Sequence, residues 1–74
     1  MRDKQGKFVE IAEKRVTRLL KDIRLIGNLS NRNNYMYETE DVAKIFGAIE
    51  AEIKTSRKRF DVALASEDKS FKLR

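Results

Sequence analysis

The chain has no cysteine, no histidine, no proline and no tryptophan. Without Cys, neither a disulfide nor a thiolate metal site can staple it, and the absence fits either redox compartment. Without His, it lacks the commonest general base and the commonest metal ligand together. Glycine is scarce: Gly6, Gly27 and Gly47 are all there are. No apolar run approaches the roughly 18 residues at which a membrane-spanning helix becomes a candidate. The start, Met1-Arg2-Asp3-Lys4, leads into no apolar run. No secretory signal is therefore expected, and the default location is cytoplasmic.

What remains is 74 residues, 39% of them charged, with a net charge of +5. One small domain, residues 1–74, is expected. A chain of this length buries only about 60% of its unfolded surface, so its own core is marginal. The composition points to a helical, soluble, mildly basic binding protein and argues against an enzyme.

Two periodic segments define the expected fold. Val9, Ala12, Val16, Leu19, Ile23 and Ile26 repeat at three- and four-residue intervals, with Phe8, Leu20 and Leu25 at the flanks. This spacing predicts a helix over residues 7–26 with one apolar stripe. Gly27 follows it as the expected stop, because Gly reaches the left-handed conformation without a Cβ clash. The second stripe reads Val42, Phe46, Ile49, Ile53, Ser56, Phe60 and Ala63, flanked by Ile45, Ala48 and Leu64. It predicts a helix over residues 40–65 with Thr39 as N-cap and Glu40 and Asp41 at the positive end of the helix dipole. Lys54, Arg57, Lys58 and Arg59 are assigned to its negative end. Gly47 inside this helix costs up to about 1 kcal/mol against Ala, and reflects either close approach of another backbone or simple tolerance.

The expected fold class is therefore all-α: an antiparallel hairpin of two long amphipathic helices joined by an Asn-rich loop, residues 27–39. Such a hairpin leaves apolar surface uncovered, and self-association into an oligomeric helical bundle is the usual remedy. The tail, residues 66–74, is polar except for Phe71 and Leu73. It either frays or docks in a neighbour's groove.

All four Asn residues, Asn28, Asn31, Asn33 and Asn34, lie within seven positions, and both Tyr residues, Tyr35 and Tyr37, follow at once. One reading is a turn that uses Asn side chains for local hydrogen bonds. The other is a recognition loop. Asn presents a donor and an acceptor to a base edge. Arg32, with Arg24 nearby, supplies a planar fork for phosphate. Tyr offers a stacking face and a hydroxyl. A loop of about 12 residues also exceeds the 2–8 that helix connections usually take, and long loops often carry function. The candidate ligand-binding set is thus Arg24, Asn28, Asn31, Arg32, Asn33, Asn34, Tyr35 and Tyr37.

A second feature is basic. Lys7, Lys14, Arg18 and Lys21 share a narrow sector opposite the first apolar stripe, with Arg24 at its edge. Glu10 and Asp22 are placed to relieve Lys14 and Arg18. The sector is either a solvated face or an electrostatic track for nucleic-acid phosphates. The short turn and third helix of a helix-turn-helix protein are missing. Catalysis has little to stand on. Glu38, Glu40 and Asp41 have a role at the helix start, Glu50 and Glu52 are two apart and do not share a face, and no His activates Ser30, Ser56 or Ser66. No phosphate-loop or dinucleotide glycine pattern occurs, and no cofactor or metal is expected.

The run Ile23-Arg24-Leu25-Ile26-Gly27-Asn28-Leu29-Ser30-Asn31-Arg32-Asn33-Asn34-Tyr35, followed by Tyr37 and Asp41-Val42, resembles small helical proteins of bacteria, phages and mobile elements. The similarity covers roughly residues 8–60 and carries no assigned activity, so no functional residue is transferred by it. It implies an inhibitor of a host defence factor, or an oligomeric anti-defence sponge that sequesters a nucleotide immune signal. The Asn/Arg/Tyr loop suits the second.

Three readings stand at this point. The leading one is a non-enzymatic, oligomeric protein that binds a small nucleotide-like anion. The alternatives are a nucleic-acid-binding accessory protein using the basic face of the first helix, and a protein–protein inhibitor. The charge is unevenly placed. Residues 1–27 hold eight Lys/Arg and four Asp/Glu, residues 28–39 one of each, residues 40–66 five of each, and the tail three and two. The basic character belongs to the first helix and its leader.

Overall fold

The computed structural model describes residues 3–68, with side chains through residue 66. Met1, Arg2 and residues 69–74 lie outside that range, and with them the expected docking of Phe71 and Leu73. The elements are a long helix α1, Lys4–Gly27, a single 3-10 turn, Asn28–Ser30, and a longer helix α2, Thr39–Asp68. Among the described residues there is no strand, so the fold class is all-α. The chain divides into two units, Met1–Met36 and Tyr37–Arg74. Each is described by itself.

In the first unit, α1 begins at Lys4 and not at position 7. Asp3 sits in extended backbone at φ −87°, ψ 99°, and its carbonyl accepts the first helical bond from the Lys7 N–H at 3.0 Å. The apolar stripe starts later than the backbone does, because Lys and Gln are good helix formers without help from packing. The far end also departs from expectation. Gly27 has φ −60° and ψ −30°, and no glycine among the described residues has a positive φ. The helix therefore does not stop on a left-handed glycine. Asn28 donates its N–H back to the carbonyl of Arg24, the chain tightens into the 3-10 turn, and Asn31 ends it by turning to φ −68°, ψ 103°. This is a common way for an α-helix to satisfy its last carbonyls.

In the second unit, α2 runs from Thr39 to Asp68, three residues past the expected end at position 65. The N-cap is Glu38 and not Thr39. Glu38 O accepts from the N–H of Asp41 at 3.0 Å and of Val42 at 3.3 Å. The Glu38 N–H donates to Asp41 Oδ2 at 2.8 Å. A side chain reaching back from the third helical position to the cap N–H is one half of a capping box, and its charge suits the helix dipole.

Both apolar stripes form as the spacing requires, yet no described residue is buried. Ala12, Ile23 and Ile26 of the first stripe and Ile49 of the second are half-buried, as is Ile11, which lies off the first stripe. Val9, Val16, Leu19, Phe46, Ile53 and Phe60 are exposed. Each such side chain would contribute about 1.5–3 kcal/mol if covered.

Within its own unit Gly47 has open space: a Cβ built there meets nothing within 4 Å. Gly47→Ala should stabilise the protein by about 0.5–1 kcal/mol through helix propensity alone. The check is a raised thermal midpoint by circular dichroism.

Candidate functional site

The Asn-rich segment is organised by one residue. Asn31 Oδ1 accepts from the Asn33 N–H at 2.9 Å. The Asn31 carbonyl accepts from the N–H groups of Asn34 at 3.1 Å and Tyr35 at 3.0 Å. This is an Asx turn, in which a short side chain mimics the backbone of a turn. Its tip carries Arg32 and Asn33. Asn28 stands in the preceding 3-10 turn, and Arg24 in the last turn of α1, where the negative end of the dipole favours a cation.

Arg24, Asn28, Asn31, Arg32, Asn33, Asn34 and Tyr35 all fall in the first unit, within twelve positions, and all are exposed. Tyr37 is half-buried and belongs to the second unit. The irregular connection is shorter than the spacing of the stripes suggested. It covers residues 31–38, eight positions, because α1 and the 3-10 turn use residues 27–30. Eight is within the usual range for helix connections, so loop length no longer argues for a function. The candidate site is an exposed, polar turn closed by the Asn31 hydrogen bonds.

The basic sector forms on α1 with Lys7, Lys14, Arg18 and Lys21 all exposed. Lys14 Nζ lies 3.7 Å from Glu10 Oε2, with both side chains open to solvent. Such a pair contributes at most about 1 kcal/mol and is screened by salt, so the face stays electropositive.

A further group was given only to the helix dipole in the sequence. Lys54, Arg57, Lys58 and Asp61 line an open recess on α2, with Val62 and Ala65. The helix dipole does not account for these cations. Because α2 continues to Asp68, its last turn holds no base, and the dipole acts only within the last turn. The distribution along the chain was the available signal: residues 54–59 hold four bases and no acid.

Among the described residues no three of His, Cys, Asp and Glu gather as a metal site. Among them too, no helix is long and apolar enough to cross a membrane. Comparison of the chain with protein-family models, curated protein sequences and solved structures finds no match.

Proposed function

We propose that this chain is a non-enzymatic helical protein that acts as a homo-oligomer and binds a nucleotide-like anion at the Asn31 turn. The observation that carries the reading is the exposure of both apolar stripes, with no buried residue among those described. A helix with one apolar face needs a cover. The eight-residue connection suits an antiparallel hairpin, and two or more hairpins would form a bundle. In a bundle the stripes are covered while the Asn31 turn of each chain stays open at a helix end, where it takes the ligand.

Within the turn, Arg32 and Arg24 neutralise phosphate. Asn28, Asn33 and Asn34 present donors and acceptors to a base edge, and Tyr35 stacks on it. Asn31 has a different role from its neighbours: its Oδ1 is taken by the Asn33 N–H, so it shapes the turn. In a phage setting, such binding would sequester a nucleotide immune signal of the host.

Isothermal titration against cyclic and linear nucleotides tests this. The wild type should bind at least one of them with micromolar affinity. Arg32→Ala should weaken that binding at least tenfold, about 1.4 kcal/mol, since charge-assisted bonds to phosphate are strong. Failure of every nucleotide to bind more tightly than about 1 mM would overturn the ligand reading. A second reading, nucleic-acid binding, is favoured by the four exposed bases on one face of α1. It requires a gel-shift complex at low salt that weakens steeply as salt rises.

A further inference from the structure

The charges of α2 are divided lengthwise. Residues 39–53 hold one base, Lys44, against four acids, Glu40, Asp41, Glu50 and Glu52. Residues 54–66 hold four bases, Lys54, Arg57, Lys58 and Arg59, against one acid, Asp61. The apolar stripe runs through both halves, and its centre, Ile53, is 52% exposed. In heptad terms Phe46, Ile53 and Phe60 occupy one seam position, a, and Val42, Ile49, Ser56 and Ala63 the other, d. Glu50 and Arg57 then share the flanking position e, and Glu52 and Arg59 share the opposite flank, g.

We infer that α2 pairs antiparallel with α2 of a second copy, about a two-fold axis between Lys54 and Thr55. The inference rests on the self-assembly reading and names its interface. In this register the seam layers set large against small: Phe46 faces the partner's Ala63, and Ile53 faces the partner's Ser56. Ile49 and the partner's Phe60 complete the set. On one flank Glu50 faces the partner's Arg57, and on the other Glu52 faces the partner's Arg59. Two-fold symmetry repeats each pair, so four charge pairs flank six seam layers, two of which set Ile53 against Ser56. Among the described residues none of these four side chains is engaged in an ion pair of its own chain.

A parallel pairing fits worse. It joins Glu52 to the partner's Arg57, but it leaves Glu50 beside Ile45 and Arg59 beside Leu64, and it stacks Ser56 on the partner's Ser56. The antiparallel register also gives Arg57 and Arg59 a purpose that the helix end does not supply.

Charge reversal separates the outcomes. Glu50→Arg alone sets arginine against arginine in both symmetric pairs, and Arg57→Glu alone sets glutamate against glutamate. Each should weaken homotypic association about tenfold or more, because two attractive pairs become repulsive at 0.2–1 kcal/mol apiece on each side. Mixing the two variants restores both pairs, so a heterodimer should form at near wild-type affinity in sedimentation equilibrium. The double variant E50R/R57E should self-associate again and shows that the substitutions themselves permit folding. A wild type that assembles, with both single variants unchanged or the mixture unrestored, overturns this register alone. A wild type that is monomeric at tens of micromolar overturns the self-assembly reading with it.

Discussion

Ile53→Asp leaves a chain that is monomeric at micromolar concentration and has lost much of its helical signal. Ile53 is half exposed in the single chain. If the chain worked alone, the substitution would be a surface change within about 0.5 kcal/mol plus a small propensity term. In an assembly that closes over the stripe, a carboxylate at its centre is removed from water with no partner, which costs several kcal/mol per side chain. The two cases differ by orders of magnitude in association constant. Thr55→Asp is the matched control: it adds the same charge two residues away, off the stripe, and should leave association near the wild-type value. Sedimentation velocity and circular dichroism at one concentration read both variants. Equal assembly of Ile53→Asp and wild type would remove the stripe of α2 as the interface.

Much of the fold was legible because periodicity averages over many residues. The spacing of Val9 to Ile26 and of Val42 to Ala63 identified both helices, and no single side chain could spoil either signal. The helix ends were not legible, because each is decided by one or two backbone bonds. Gly27 looked like a left-handed stop, yet α1 ends there with right-handed helical angles, and a 3-10 turn carries the chain on to Ser30. Thr39 is a better cap by composition than Glu38, but Asp41 reaches back to the Glu38 N–H and moves the start by one residue.

The same contrast governs the candidate site. The Asn cluster was visible from composition, and the structure divides it by role. One Asn builds the turn, while Asn28, Asn33 and Asn34 remain exposed along it. Asn31 is the residue whose side chain closes the turn, by accepting from the Asn33 N–H. The bases at residues 54–59 were legible as a run and misread in cause. Their assignment to the dipole depended on a helix end at residue 65, which the structure places at Asp68.

Dilution should lower the thermal stability of the wild type. Where the apolar stripes are covered only by other copies, folding and association are one equilibrium, and the folded state is stabilised by mass action. For a dimer, a hundredfold dilution removes about 2.7 kcal/mol. Two chains of this size unfold with the entropy of roughly 150 residues, for which each kcal/mol moves the midpoint by about 2–4 °C. The melting temperature should therefore fall by about 5–10 °C between 100 µM and 1 µM, estimates that follow from those two relations. A stable monomer would show no such dependence, and a higher oligomer would show a steeper one. The measurement also links the proposals, because a ligand that binds only the folded, assembled chain should raise the midpoint at both concentrations. Melting curves at the two concentrations, with and without the nucleotide that binds in titration, give the slope and the shift. A midpoint independent of concentration without ligand would mean that each chain covers its own apolar faces.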